Sequence, residues 1–313
     1  MKIKSIKKIR YSGNVYNLTV ADCHNYFVNG SILVGNCHGE KAKELKAIAE
    51  KCTNAEYRIG FTGSMPKEQI DYMTIQAGLG PKLMKISSEE LIDRGVLSQI
   101  AVANILIRHS SEMIENCKGR TFPEEVRLLK ECEDRKKIFK WIFNNIPDGQ
   151  NSLILVEHLD TLSSLKEYLE KNLDKKYNIR IIKGAVKTED REKIRKETEN
   201  EENVIIIATY KTMSVGINIK KLHNIIFGSP RKSFISIVQS IGRGLRVHET
   251  KDKLVVFDII DDLTYERQLK KGPRKGKWIL EKNYYYQQFE ERLEIYKEQK
   301  FEYFTKKIDL SQI

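Results

Sequence analysis

The chain has 313 residues, 40% of them hydrophobic, which is enough for about two domains with cores of their own. Lys and Arg number 55 against 43 Asp and Glu, and the net charge of +12 points to a polyanionic partner. No apolar run reaches membrane-spanning length and the basic start lacks the apolar core of a secretion signal, so the sequence predicts neither a membrane contact nor export. The five cysteines form no CxxC pair, which argues against a zinc site, and an odd number without a framework fits a reducing cytoplasm.

Residues 1–36 are short and rich in strand formers. Tyr16, Leu18 and Val20 alternate onto one face, Tyr26-Phe27-Val28 and Ile32-Leu33-Val34 predict two further strands, and Asn29-Gly30 is a turn signal between them. A piece this small cannot bury a core alone. It ends on Asn36-Cys37. An Asn side-chain amide can attack its own backbone carbonyl, form a succinimide and cut the chain. The freed Cys37 then offers a thiolate that can receive an acyl chain. In isolation an Asn-Cys pair is an ordinary turn.

The flanking residues change that balance. Val15 to Val20, His24-Asn25-Tyr26-Phe27, Asn29-Gly30 and terminal Asn36-Cys37 together resemble the carboxy-terminal block of an intein, over roughly residues 13–37. The resemblance implies that Asn36 cyclises, His24 assists and Cys37 opens the downstream flank. It also implies a small all-β, Hint-fold fragment of a split intein at residues 1–36. Two positions depart from the family pattern: Gly35 stands where His is usual, and Asn17 where Asp is frequent. Both departures bear on the rate of cleavage and on the group that assists it.

From Cys37 the composition changes. A helix is expected over 38–51, with Ala42, Leu45, Ile48 and Ala49 on one face, and a strand over Tyr57–Phe61 that ends at Thr62-Gly63-Ser64. Residues 91–97 close a small unit. Gln99–Ile107 reads as a strand, and Pro123 starts a long helix through Asn145. Strands at 152–156, 179–182, 204–209, 224–227 and 254–259 then alternate with helices at 159–172, 188–198 and 234–247. Short, continuous apolar strands in such alternation predict an α/β domain with a buried parallel sheet. After Asp262 the chain turns basic and aromatic, with a loop from Lys270 to Lys277, Tyr284-Tyr285-Tyr286 and a charged helix to about Phe304. The basic loop is a candidate phosphate contact and the tyrosines are candidate base stackers, against the equal alternative of a solvated loop and core-packing rings.

Chemistry concentrates in Gln239-Ser240-Ile241-Gly242-Arg243-Gly244-Leu245-Arg246. Helical spacing puts Gln239, Arg243 and Arg246 on one stripe, and two guanidiniums aimed at one place suit the charge that spreads over a triphosphate during transfer. Ala208-Thr209 ends a strand ahead of Gly216-Ile217-Asn218, a loop at the carboxyl edge of a parallel sheet, where ligands bind in such folds. Leu155-Val156-Glu157-His158 ends another strand.

Together and in order, these segments resemble the later motifs of a superfamily 2 nucleic-acid helicase, from Cys37 to about Asp262. Thr62-Gly63-Ser64 is similar to motif III, Leu155-Val156 to motif IV, Thr209 through Asn218 to motif V and Gln239 through Arg246 to motif VI. Cys37-His38 resemble the end of a DExH box. The runs Ala55–Gly63 and Phe289–Leu293 further resemble the UvsW-type branch-migration helicases of phages. The resemblance implies ATP and Mg²⁺ as cofactors. It places His38, Gly216, Asn218 and Gln239 at the nucleotide, Arg243 and Arg246 as arginine fingers, and Thr62, Gly63, Ser64, Val156 and Thr209 at the nucleic acid or in its coupling to ATP.

No GxxxxGK[ST] occurs in the sequence, and Gly35-Asn36 stand where a DExH box has its carboxylates. The two resemblances account for each other if a split intein interrupts a helicase inside that box. The expected organisation is an intein fragment at 1–36, the end of a first RecA-like domain at 37–97, a second RecA-like domain at 98–262 and a basic extension at 263–313. The expected partners are DNA or RNA and a second polypeptide carrying the upstream helicase half and the intein's front half. A different class of function stays open: a non-catalytic nucleic-acid-binding helicase remnant with an inert leader.

Overall fold

The computed structural model describes residues 25–28, 32–36, 57–61, 69–84, 86–183, 188–214, 219–229, 253–269 and 271–312. The chain divides into two compact units, Met1–Lys85 and Ile86–Ile313. The expected divisions at 97/98 and 262/263 both fall inside the second unit.

In the first unit β1 (Asn25–Val28) and β2 (Ile32–Asn36) form an antiparallel hairpin, and β3 (Tyr57–Phe61) lies parallel to β2. The register sets Ile32 opposite Tyr57 and Asn36 opposite Phe61. These strands answer the alternation in the sequence, although the turn at Asn29-Gly30, the strand at 15–20 and the helix at 38–51 lie outside the described residues. A helix that the sequence reading did not contain, α1 (Gln69–Leu79), follows.

The second unit is built on seven parallel strands. They are β4 (Gln99–Arg108), β5 (Ser152–Val156), β6 (Asn178–Ile182), β7 (Val204–Thr209), β8 (Asn224–Phe227), β9 (Lys253–Asp262) and, beyond a separate two-stranded ribbon, β12 (Glu302–Asp309). Their spatial order is β12-β4-β9-β8-β5-β7-β6, every neighbouring pair parallel. Every residue of β5, β7 and β8 is buried, as continuous apolar runs require when helices cover both faces.

Alternate residues feed two cores. One face presents Val102, Leu155, Ile206, Phe227 and Val256 to Ile295 and Tyr296 of a carboxy-terminal helix. The other presents Ile105, Ile154, Ile207, Ile226 and Ile259 to α5 (Lys137–Asn144) and α6 (Leu159–Asn172). In α5 Ile138, Phe139, Ile142 and Phe143 are buried, and in α6 Leu162, Leu165 and Leu169. That spacing lays one apolar stripe on the sheet, each such side chain contributing about 1.5–3 kcal/mol. At the amino edge Asn151 is wholly buried. Its amide oxygen accepts from Val204 N (3.0 Å), and its amide nitrogen donates to the carbonyls of Thr198 (2.8 Å) and Glu201 (3.1 Å).

Two expectations about helices need correction. The single helix from Pro123 to Asn145 is two helices, α4 (Phe122–Glu131) and α5, joined by a 3₁₀ turn at Glu133–Lys136. Their apolar residues serve different cores: Leu129 of α4 packs with Leu263 and Tyr285, whereas α5 packs on the sheet. Extended backbone at Cys132 (ψ 99°) makes the change of direction. The expected basic loop keeps its place, as the turn between two strands that the sequence reading did not contain, β10 (Tyr265–Gln268) and β11 (Trp278–Glu281), paired as an antiparallel ribbon. The charged helix to Phe304 ends earlier. Helix α9 (Tyr284–Glu298) stops where Lys300 takes φ 56° and Phe301 N bonds back to Tyr296 O at 3.0 Å. Phe301 is thereby buried in the core, and β12 pairs with β4. This Schellman-type stop usually carries Gly, so Lys300 hid it from the sequence. The helices numbered between are α2 (Ser88–Asp93), α3 (Ser111–Cys117), α7 (Thr188–Asn200) and α8 (Tyr210–Ser214).

Candidate site at the carboxyl edge of the sheet

A parallel sheet gathers the carboxyl ends of its strands along one edge, where the loops leave room for ligands. Here β4 ends at Arg108-His109, β9 at Asp261-Asp262, β5 at Val156 before Glu157-His158, β8 at Phe227 before Gly228-Ser229, and β7 at Thr209.

The centre of this edge is a buried ionic cluster. His109 Nε2 lies 2.9 Å from Asp261 Oδ1, with the two side chains 1% and 0% exposed. Arg135, from the 3₁₀ turn, donates through Nε to Asp261 Oδ1 (2.8 Å) and Oδ2 (3.0 Å). The Cys132 thiol hydrogen-bonds to His109. Burial alone would push the Asp261 carboxyl up, but the Arg135 charge and the His109 contact outweigh it and hold the group at about 2. For His109 burial acts downward, and the hydrogen bonds to Asp261 and Cys132 overcome it, raising the imidazole to about 9. Cys132 is pushed up by burial and drawn down further by His109, so its pKa ends below the ordinary thiol value.

A second polar knot sits beside the first. The buried Glu125 carboxylate of α4 accepts from Asn283 Nδ2, Tyr284 N and Tyr285 N, each at 2.9 Å. It thus meets the free N–H groups that open α9, the favourable place for an anion. Burial nevertheless raises the Glu125 pKa. Asn283 also donates to Asp261 O (3.0 Å) and accepts from Leu263 N (3.1 Å), tying α9 to the end of β9. Tyr285 is buried against Leu129 and Leu263, and burial drives its hydroxyl well above the usual range. A cavity of about 50 Å³ opens next to these groups, lined by Cys132, Arg135, Val156, His158, Ser229 and Tyr285.

Of the residues expected from sequence to act here, Val156 and Thr209 are described. They are register partners at the carboxyl ends of β5 and β7. Val156 is buried and lines the cavity. The Thr209 hydroxyl accepts from Thr212 N (3.1 Å) and shares a hydrogen bond with Thr212 Oγ1 (2.8 Å), capping the short helix α8 that leads into 215–218. Asn36 is described in its backbone, at the carboxyl end of β2. His24, Cys37, His38, Thr62, Gly63, Ser64, Gly216, Asn218, Gln239, Arg243 and Arg246 lie outside the described residues, as does the helix expected over 234–247. Sequence reasoning missed His109, Glu125, Cys132, Arg135, Asp261 and Asn283. The usable signal was polarity at strand ends: Arg108-His109 follow one apolar run, and Asp261 closes another.

Residues 134–248 match the family model described as the helicase conserved C-terminal domain. The chain is 26% identical over 282 residues to the ATP-dependent DNA helicase uvsW of Enterobacteria phage T4, covering 90% of this chain and 55% of the relative. A putative ATP-dependent RNA helicase of Acanthamoeba polyphaga mimivirus is 20% identical over 314 residues, covering 96% of this chain and 55% of its own length. The crystal structure of T4 UvsW superposes with a TM-score of 0.56 at 25% identity, covering 88% of this chain and 53% of that one. The chain therefore carries a C-terminal helicase domain of RecA-like, parallel-sheet architecture related to that of T4 UvsW, and it spans about half the length of the curated relatives it matches.

Proposed function

We propose that this chain supplies the second RecA-like half of an ATP-dependent nucleic-acid helicase. The observation that carries the reading is the all-parallel sheet of the second unit, with Thr209, where the segment similar to motif V begins, at the carboxyl end of β7, within the stretch that matches the helicase C-terminal family. When bound, ATP with Mg²⁺ supplies the phosphoryl group. The donor set suits a triphosphate by its chemistry: Arg243 and Arg246 offer planar guanidiniums and Gln239 an amide, at a spacing that a helix would bring onto one stripe. Their part would be to meet the charge that develops on the transferring group, with Gly216 and Asn218 of the segment similar to motif V also assigned to the nucleotide. No P-loop occurs in the sequence, so a P-loop half has to complete the site.

The test is turnover with and without such a half. The chain alone should show no nucleic-acid-stimulated ATP hydrolysis. In the completed enzyme Arg243→Ala or Arg246→Ala should lower kcat by about 10³ with a much smaller change in ATP affinity. Near-normal turnover in both variants would mean that the stripe is structural and its assignment to motif VI wrong, whereas no turnover with any P-loop half would favour a non-catalytic nucleic-acid-binding remnant.

A second reading concerns residues 1–36, as an intein fragment that leaves during trans-splicing. One structural observation favours it. Strand β2 runs parallel to β3 and ends at Asn36, directly at the proposed splice junction. Splicing would exchange one strand entering Cys37 for another, here one ending in Asp-Glu, and β3 would keep a neighbour throughout. The bond to form is the peptide from the upstream chain to Cys37, by way of a thioester on its sulfur. Two bonds break: the one joining the upstream chain to the intein's front half, which departs as the leaving group when Cys37 takes the acyl chain, and Asn36–Cys37, by cyclisation of Asn36 with His24 assisting. With a verified partner, Cys37→Ala should block ligation and Asn36→Ala should stall at a thiol-sensitive branch. An intact Asn36–Cys37 bond in the mass spectrum after prolonged incubation would make the leader inert.

A further inference from the structure

The ribbon β10–β11 has no part in the machinery described above, and its composition is unlike the rest of the chain. Residues 265–282 carry seven Lys or Arg against two Glu. The ribbon starts three residues beyond the carboxyl end of β9, so it rises from the same edge as the candidate site. Its base is anchored. Tyr265 packs on the cluster of Ile114, Cys117, Leu129, Leu263 and Tyr285, and Lys118 Nζ lies 5.2 Å from the Tyr265 ring. Beyond β11, Asn283 ties the chain back to Asp261 and Glu125.

Cross-strand register sorts the two faces. Tyr265 pairs with Glu281 and Arg267 with Ile279 on one face, while Glu266 pairs with Leu280 and Gln268 with Trp278 on the other. The second face is open: Trp278 is 66% exposed and Leu280 58%. The tip is ordered by its own backbone. Gly276 N donates to Leu269 O (2.8 Å), Leu269 N to Lys277 O (2.9 Å) and Lys275 N to Gly272 O (3.1 Å), with Gly272 and Gly276 at φ 83° and 85°. Around this turn Lys271, Arg274, Lys275 and Lys277 are exposed, and none has an ion-pair partner among the described residues. Arg267 is different, being held by Glu281 at 2.6 Å.

An exposed indole costs solubility, and four unpaired cations in one turn repel each other. A single-stranded nucleic acid relieves both, because its phosphates match the cations and its unstacked bases offer π-faces to the ring. We propose that the β10–β11 ribbon is a single-strand-binding finger, with Trp278 stacking on an unpaired base, Leu280 beside it, and Lys271, Arg274, Lys275 and Lys277 gripping the flanking phosphates. A duplex hides its base faces, so it engages the cations without the indole. The proposal rests on the helicase reading for its partner, and it adds a contact outside the helicase motifs.

The experiment uses the full chain and a short fluorescein-labelled oligothymidine, with a duplex of equal length as the second arm. The chain has two Trp, Trp141 and Trp278, so W141F isolates the ribbon's fluorescence. Single strand should quench that fluorescence on binding, and duplex should not. Trp278→Ala should weaken single-strand binding by about 10-fold or more and leave duplex binding little changed, and Trp278→Phe should restore most of the loss. Replacing the four cations by Gln should flatten the salt dependence of log Kd by about 3 for the single strand. Single-strand binding that is intact in Trp278→Ala, with no quench in W141F, overturns the finger and leaves the helicase reading standing. A chain that binds neither probe overturns the nucleic-acid reading and the finger with it.

Discussion

The buried cluster at the ends of β4 and β9 should make the second unit lose stability as the solution becomes alkaline. His109 rises from 6.5 to about 9 in the fold, so its contribution is complete below pH 6.5 and disappears as pH climbs through about 9. At ~1.36 kcal/mol per pKa unit the loss across that window is about 3 kcal/mol. Asp261, lowered from 3.8 to about 2, reports the same contact from its acid side. Its share is present above pH 3.8 and is lost toward pH 2, and the two figures are not added. The groups facing His109 are Asp261 and Cys132, and Arg135 shares the Asp261 Oδ1 oxygen with it. Cys132 has its pKa lowered in the fold, so its titration gains stability with rising pH and opposes the effect. Measurement in Cys132→Ser removes that opposition. Urea midpoints followed by intrinsic fluorescence from pH 6 to pH 9.5, at constant m, give the profile directly. In Asp261→Asn the larger of the two partners that raise His109 is lost and burial is opposed by Cys132 alone, so the decline above pH 6.5 should shrink. That variant should also lose about 3–5 kcal/mol at pH 6, because Arg135 is left as a buried cation without its carboxylate. A flat profile in Cys132→Ser, or an equal alkaline decline in Asp261→Asn, would refute the assignment of His109 as a buried cation.

Periodicity made the sheet legible and left its attachments hidden. The expected strand at Val204–Thr209 and helix at 159–172 agree with β7 and α6 in both bounds, because both are strongly patterned and flanked by clear breaks. The 3₁₀ turn at Glu133–Lys136 was invisible for the opposite reason. Helix formers run unbroken from Phe122 to Asn144, and only tertiary packing of Leu129 and Phe139 on different clusters forces the bend. Strand β12 was hidden by composition, since Glu302 to Lys307 are all exposed and half of them are charged. Its place is set by ladder hydrogen bonds to β4 and by burial of Phe301 and Ile308 at its two ends. The site divided in the same way. Residues at strand ends could be nominated from the strands themselves, as Val156 and Thr209 were. The ionic cluster draws on the ends of β4 and β9, whose His109 and Asp261 are 152 positions apart in the chain, and on a turn between helices, and no local pattern announces such a meeting.

Gly228→Ala should destabilise the second unit by about 1–3 kcal/mol, read as a lower urea midpoint. A Cβ there would sit 3.1 Å from Phe139, 3.2 Å from Val156 and 3.3 Å from Ile154, all well packed. Lys300→Gly should raise the midpoint by about 0.5–1 kcal/mol, since φ 56° favours glycine and the ion pair to Glu89 that is lost is exposed. The last expectation turns on β9, which carries a buried carboxylate toward each helical layer. Asp258 shares its face with Val256 and meets Arg292 (2.8 Å) and the Tyr296 hydroxyl (2.9 Å) of α9. Asp261, three residues on, faces the opposite layer and meets Arg135. A slip of one residue would present each carboxylate to the wrong helices, so the pairs fix the register of the strand against both layers. Arg292→Met should therefore cost about 3–5 kcal/mol, because Asp258 is left charged and buried with only a hydroxyl to meet it. Adding Asp258→Asn should recover more than half of that loss, since it removes the stranded charge. If the double variant is as unstable as Arg292→Met alone, the damage comes from lost packing at α9, and the ion pair has no part in holding β9 in place.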